Sequence, residues 1–344
     1  MSLRVADLRR SWFAALGLCC VGVAMLAVLA LTGPSLHRTA HADGGGGAIS
    51  FWREVFAPPA PLPARRQLGP ARAALGHHLM SDPRALSPDG AMSCTSCHIP
   101  SLAFTDALSR ARARGGKNLA RNTPTLFGIA GASAFNWDGS AKTLREQALR
   151  PILSRHELAG DWQTIIGQIE NDPISRRLWR AAFPDTTKPR TDHVLTALAA
   201  AISELKAPAT RFDAFLNGDA SALTERELIG FRLFTGRGQC VSCHMSARLT
   251  DDKFHDIGIA TADVGRAGVT GRASDRHRFK TPTLRSVRVT APYMHNGSIA
   301  TLDGVVRHYE RGGIRRPTRA ETMPDGLSFT NAERRALVAF LRTL

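Results

Sequence analysis

Two copies of one five-residue pattern, Cys94-Thr-Ser-Cys97-His98 and Cys240-Val-Ser-Cys243-His244, constrain this chain more than anything else in it. C-x-x-C-H is the attachment signature of a c-type haem. Two thiols add across the porphyrin vinyl groups, and the adjacent imidazole meets the iron from the proximal side. Of six cysteines, only Cys19 and Cys20 fall outside the motifs, within an apolar N-terminal run. A single zinc site would need its two cysteine pairs close in sequence, but these lie in opposite halves of the chain. Redox pairs or small-loop disulfides would not require a His after each. Cys94, Cys97 and His98 are therefore expected to hold one haem, and Cys240, Cys243 and His244 a second.

The N-terminus reads as an export segment. Arg4, Arg9 and Arg10 precede an apolar run from Trp12 to Leu31, and Ala40-His41-Ala42 is a small-x-small cleavage pattern. Residues 1–42 are expected to be a signal peptide and residues 43–64 a linker. The alternative is an uncleaved inner-membrane anchor over residues 11–32, since the run is long enough nearly to span a bilayer. Cys19 and Cys20 are read as apolar filler, with no small-residue lipobox before them. Either way the protein is expected in the periplasm. The formal net charge is +16, and the four Arg and one Asp of residues 1–42 leave +13 for the rest. Arg110, Arg112, Arg114, Lys117 and Arg121 form a basic stretch. It reads as a solvated loop, or as a docking face for an acidic electron carrier or for haem propionates. Nucleic acid is not expected of an exported chain without interleaved aromatics.

The flanks of the two motifs repeat. Pro70 to Met80 is a helix pattern with Leu75 and Leu79 on one face. Thr224-x-x-Glu227 is a capping box ahead of Leu228, Phe231 and Phe234. A closing helix follows in each half. Residues 191–206 align Leu195, Leu198, Ile202 and Leu205, and the box Thr330-x-x-Glu333 opens a helix aligning Leu337, Phe340, Leu341 and Leu344. Helix, motif, loop-rich stretch and closing helix resemble the cytochrome c fold, here twice. The expected fold is mostly α, with two cytochrome c-like domains over residues 65–215 and 222–344. The boundary falls around Pro208 to Ser221, and the haems face each other across the domain interface.

A haem that only carries electrons has two protein ligands, whereas one that does chemistry keeps a position open. Between Ile99 and Asp192 there is no Met, Tyr or Cys, and His156 is the only imidazole. The first haem is thus ligated by His156 or open. The second half offers His255, His277, Met294, His295, His308, Tyr309 and Met323, so the two haems are expected to be unequal.

Several further runs occur in order: Leu75-Gly-His-His-Leu-Met-Ser-Asp-Pro83, Arg121-Asn-Thr-Pro-Thr125, Phe135-Asn-Trp-Asp-Gly139, Glu146-Gln-Ala148, Phe279-Lys-Thr-Pro-Thr-Leu-Arg285 and Ala291-Pro-Tyr-Met-His-Asn-Gly297. With the first haem motif, they resemble the bacterial di-haem cytochrome c peroxidases. That superfamily also contains the MauG-type enzymes, which oxidise residues on a partner protein. The resemblance covers residues 65–344.

The resemblance implies roles for individual residues. The first haem is similar to a peroxide site. Trp137 matches a tryptophan that relays electrons between the haems; on pattern alone it is a core residue ahead of an Asp-Gly turn. Gln147 matches a distal-pocket glutamine and otherwise reads as a surface helix residue. Glu157 matches a distal glutamate that moves a proton between the peroxide oxygens; a lone Glu otherwise reads as solvated. Asn122 matches a side-chain ligand of a calcium ion, with the backbone oxygens of Thr290 and Pro292, and oxygen ligation suits a hard cation. Without the family, Arg-Asn-Thr-Pro is simply a turn. Two departures stand out. The loop from Ile99 to Arg121 lacks the His that caps the first haem in many relatives, which implies an open site at rest. The family's Met ligand to the second haem falls on Tyr309, as in MauG-type enzymes, with Met294 the rival ligand. On pattern alone, Tyr309 is a half-buried helix aromatic after Val305 and Val306.

The expected function is reduction of hydrogen peroxide, with electrons from a small cytochrome c or cupredoxin. A MauG-type oxidation of Trp or Tyr on a protein substrate is the first alternative. A plain di-haem electron carrier, with His156 as ligand, is the second. The oligomeric state is not legible, a homodimer being one option.

Overall fold

The computed structural model describes residues 46–57 and 68–344. The leader expected over residues 1–42 lies outside the described residues, as does part of the expected linker. Two units divide the chain, residues 1–54 and 55–344. The described part of the first, residues 46–54, belongs to helix α1, Gly46–Val55, inside the stretch expected as linker.

The second unit carries α2 (Pro70–Ser81), α3 (Pro83–Leu86), α4 (Leu144–Leu153), α5 (Trp162–Asn171), α6 (Pro173–Ala182), α7 (Thr191–Glu204), α8 (Arg211–Leu216), α9 (Glu225–Thr235), α10 (Ala267–Thr270), α11 (Leu302–Arg311) and α12 (Asn331–Leu341). The described chain is mostly helical, as expected. Its one sheet pairs β1, Phe254–His255, antiparallel with β2, Phe279–Lys280. Among the described residues no helix is long and apolar enough to cross a membrane.

Local chemistry sets the helix starts. Pro70 opens α2 in its first turn, where its missing N–H has no helical partner to lose. Both expected capping boxes form: Thr224 N–H donates to Glu227 at 2.8 Å, and Thr330 N–H donates to Glu333 at 2.8 Å.

The two halves use the same packing device. Helix α2 crosses α7, and α9 crosses α12. At the first crossing a Cβ on Gly76 would stand 2.0 Å from the Ala197 carbonyl oxygen. At the second, a Cβ on Gly230 would stand 2.1 Å from the Ala336 carbonyl oxygen. Each helix preceding a haem motif thus meets its closing helix backbone to backbone, and only glycine fits at the contact. Around the first crossing Leu75, Leu79, Ile152, Ile165 and Leu198 are buried together. Around the second, the rings of Phe231 and Phe234 lie 5.4 and 5.3 Å from that of Phe340. The expected boundary segment contains a helix of its own: α8 places Phe212 5.3 Å from Phe340.

Candidate active site

Both C-x-x-C-H motifs fold as a short 3-10 turn, Cys94–Ser96 and Cys240–Ser242. The His98 N–H donates to the Cys94 carbonyl at 2.8 Å, and the His244 N–H to the Cys240 carbonyl at 3.0 Å. Each imidazole is fixed from behind. His98 Nδ1 lies 2.9 Å from the Phe104 carbonyl and His244 Nδ1 2.9 Å from the Leu249 carbonyl. A carbonyl only accepts, so Nδ1 carries the proton and Nε2 keeps a free lone pair. Phe104 and Leu249 both take left-handed backbone conformations, φ 59° and 54°, to present those carbonyls. Such a conformation is disfavoured for large side chains and is held by the surrounding structure. Burial keeps both imidazoles neutral at ordinary pH and pushes the Cys94 and Cys240 thiols up to about 12.

All six motif residues line one cavity of ≈ 760 Å³. Two neutral imidazoles with free Nε2 atoms and two thiol pairs on largely apolar walls form the donor set that two c-type haems require.

On the first side, Gln147 and Glu157 line the same cavity. Gln147 comes from α4, and Glu157 from the turn that follows it. Burial raises the Glu157 carboxyl above the usual carboxylate range, opposed by a hydrogen bond from Ser154. Arg114 grips this turn. Its backbone N–H donates to the His156 carbonyl at 2.8 Å, its Nε to the Glu157 carbonyl at 3.3 Å, and its Nη2 to the Leu158 carbonyl at 3.0 Å. The same guanidinium pairs with Asp89 and donates to Ser87 at 2.6 Å. His156 is exposed and is not among the cavity residues. Its ring lies 3.3 Å from Arg155 Nε, so it is not placed to ligate the first haem.

Trp137 also lines the cavity, and its Nε1 donates to the Asn122 carbonyl at 2.9 Å. Its ring lies 6.5 Å from that of His295, which stacks on Phe279 at 3.6 Å. Burial holds the His295 imidazole down to about 4. Arg121 ties this region together, reaching Asp138 at 2.6 Å and Asp263 at 2.7 Å.

On the second side, Tyr309 from α11 and Met294 both line the cavity. Burial raises the Tyr309 phenol, and the nearby Cys243 and Cys240 thiols raise it further. Met294 takes a left-handed conformation, φ 76°. His308 is buried with Nε2 2.8 Å from the Ile257 carbonyl, and it does not line the cavity. Asn122, Thr290 and Pro292 all line the cavity. The Asn122 amide nitrogen donates to the Leu108 carbonyl at 2.8 Å, and its Oδ1 accepts no hydrogen bond among the described residues.

Sequence reasoning missed three features here: the grip of Arg114 on the Glu157 turn, the stack of His295 on Phe279, and Lys280. Lys280 lines the cavity and shares Asp252 with Arg248, at 3.4 and 2.5 Å. Only Lys280 and His295 carried a signal, from their place in the runs quoted above.

Residues 70–221 match the profile of the di-haem cytochrome c peroxidase family. The chain is 38% identical over 320 residues to the methylamine utilization protein MauG of Methylorubrum extorquens, covering 92% of this chain and 90% of that one. It is 34% identical over 278 residues to cytochrome c551 peroxidase of Nitrosomonas europaea, covering 79% of each. Among solved structures, it superposes on a MauG-like protein associated with microbial copper homeostasis with a TM-score of 0.78 at 28% identity. That match covers 84% of this chain and 93% of the other. The chain therefore belongs to the di-haem cytochrome c peroxidase family, which includes MauG. Membership makes it a haem oxidoreductase built from two cytochrome c-like domains and implies two c-type haems. The donor set described above fits both.

Proposed function

We propose that this protein reduces hydrogen peroxide to water in the periplasm, with electrons from a small cytochrome c or cupredoxin. The observation that carries the reading is Glu157, a half-buried carboxyl of raised proton affinity on the cavity that both haem motifs line. Each domain, residues 65–215 and 222–344, would hold one haem through its C-x-x-C-H motif, on the cavity that both motifs line. When bound, the haems supply the iron at which the O–O bond breaks and the redox capacity that stores the oxidising equivalents.

The protein's own groups do the rest. Glu157 accepts the proton of the oxygen nearer the first haem and returns it to the departing oxygen. Gln147 orients peroxide beside it. Trp137 carries charge between the two sites. Tyr309, with Met294 the rival, would join His244 in holding the second haem. Asn122 Oδ1 and the carbonyls of Thr290 and Pro292 hold a calcium ion. Two electrons and two protons convert one peroxide to two waters. The expected leader, as signal peptide or anchor, accounts for export.

A second reading is favoured by Tyr309, whose phenol sits near the thiols of Cys240 and Cys243. Here the electrons come from Trp or Tyr side chains of a partner protein, the activity of a MauG-type enzyme. Steady-state oxidation of a reduced small cytochrome or cupredoxin by peroxide tests the first reading. Turnover with such donors is expected; its absence, with peroxide-dependent oxidation of a partner protein, would transfer the assignment to the second. An EPR spectrum of the resting ferric protein removes the plain carrier if it contains a high-spin signal.

A further inference from the structure

Two cations on the cavity wall share one carboxylate. Arg248 and Lys280 both line the cavity, their side chains only 19% and 14% exposed. Arg248 sends both Nη atoms to Asp252, at 2.5 and 2.7 Å. Lys280 Nζ reaches the same carboxylate at 3.4 Å and meets no other within 4 Å among the described residues. The neighbouring Asp251 is taken by His255, at 2.8 Å. Arg248 Nε is buried and has no hydrogen-bond partner among the described residues. The group therefore carries one positive charge in excess and one orphaned donor.

A buried charge is costly unless it is paired, and a buried N–H without an acceptor adds a desolvation cost of its own. Burial lowers the proton affinity of Lys280, opposed by Asp252. An anion presented from the cavity would correct both deficits at once. The backbone holds the two cations in place to receive it. The Arg248 carbonyl accepts from Thr283 Oγ1 at 2.5 Å, and the next residue, Leu249, presents the carbonyl that fixes His244. The Lys280 N–H donates to the Trp137 carbonyl at 2.8 Å. A Cβ on Gly131 would lie 3.4 Å from Arg248 Cδ, so the arginine stem lies along a segment of the first half. The cation pair thus sits where the two halves meet, joined through backbone to Trp137 on one side and to the second haem motif on the other.

We infer that Arg248 Nε and Lys280 Nζ bind a porphyrin propionate, the carboxylate that either haem would bring into this largely apolar cavity. A charge-assisted bond from each donor suits an ionised carboxylate. Asp252 holds the two cations side by side and offsets part of their charge. The inference needs only the haems that family membership implies and holds under either reading of the function. It has a redox consequence. A cation held against a haem carboxylate disfavours the extra positive charge of ferric iron, so the pair raises the potential of the haem it binds.

The test uses the holoenzyme with both haems attached. Resonance Raman spectra read the propionate-bending bands, and redox titrations followed by EPR assign any change to the first or the second haem. Lys280→Gln should shift the propionate band of one haem. It should also lower that haem's midpoint potential, by about tenfold in its ferrous-to-ferric ratio at fixed potential. Arg248→Gln should act on the same haem in the same direction. Lys280→Arg should restore the lost midpoint. Asp252→Asn, which removes the competing carboxylate, should move the midpoint upward. Lys253→Gln deletes an exposed cation beside the site and should leave the band in place. Should Arg248→Gln fail to assemble, Lys280→Gln and Asp252→Asn decide. A propionate band unmoved by Lys280→Gln would overturn the inference, as would an equal shift in Lys253→Gln. If the band responds as expected in a protein that never turns over peroxide with any donor, the peroxidase reading fails and the propionate site stands.

Discussion

Arg114 Nε donates to the backbone carbonyl of Glu157 at 3.3 Å, and the same residue satisfies the carbonyls on either side of it. Three consecutive carbonyls of one turn are thus held by a single residue, itself anchored to Asp89 and Ser87. A general base acts only within hydrogen-bond reach of its proton, and misplacement by about 1 Å can cost on the order of a hundredfold in rate. Arg114→Ala should therefore lower kcat by about tenfold or more while both haems still attach. Arg114→Lys should rescue little, because an ammonium cannot reproduce the planar fork. Steady-state kinetics with haem quantification check this; a variant at wild-type kcat would reduce Arg114 to an ordinary structural arginine.

Glu157 gives a signed pH prediction. A carboxyl must be ionised to accept a proton, and burial raises its proton affinity. The acid limb of kcat/KM should therefore lie above the usual carboxylate range, with activity falling as pH drops through it. Glu157→Gln should remove that limb and lower turnover about a hundredfold or more, leaving the haem absorption bands in place. Undiminished turnover in the variant would remove Glu157 from the mechanism.

The haem motifs, the paired helices and both capping boxes are legible in the sequence because each rests on local spacing. The five cations of the basic stretch show where that legibility stops. Arg110, Arg112, Arg114 and Arg121 look alike along the chain, yet Arg114 and Arg121 are half-buried struts paired with carboxylates. Their partners Asp89 and Asp263 lie far off in sequence, and only the tertiary fold brings them near. Gly76 and Gly230 likewise read as weak points in helix patterns. Their reason exists only at the crossings with Ala197 and Ala336. Spacing also could not separate His308, committed to the Ile257 carbonyl, from Tyr309 on the cavity.

Those crossings predict a matched pair of stability effects. A methyl on Gly76 or Gly230 would meet a backbone carbonyl at 2.0 or 2.1 Å, and backbone cannot swing aside as a side chain can. Alanine at either position should destabilise the fold by about 1–3 kcal/mol or more, despite its better helix propensity. Denaturation midpoints check this. Alanine at Gly167, whose Cβ would meet nothing within 4 Å, should be neutral or stabilising.

The calcium proposal is tested by removing the ion. Asn122 holds its carbonyl to Trp137 and its amide nitrogen to Leu108, so an ion on Oδ1 would brace the segment beneath the tryptophan. Chelation should release about one calcium per chain and slow electron exchange between the haems, with recovery on adding calcium back. Magnesium should not restore it, because it demands a tighter octahedral oxygen shell. Metal analysis that finds no calcium in protein purified without chelators would remove the ion from the proposal.

Tyr309 and Met294 share the cavity wall, and their chemistry separates them. A phenolate ligand favours ferric iron and a low potential, whereas a thioether favours ferrous iron and a higher one. Desolvation raises the proton affinity of the Tyr309 phenol, so ligation requires the metal to displace that proton. If Tyr309 is the ligand, Tyr309→Phe should change the EPR signal of one haem only and open that iron to exogenous ligands. Met294→Ala should then leave both signals intact. If the spectra move with Met294 instead, the second haem is a thioether-ligated relay, and the observation favouring oxidation of a partner protein is lost.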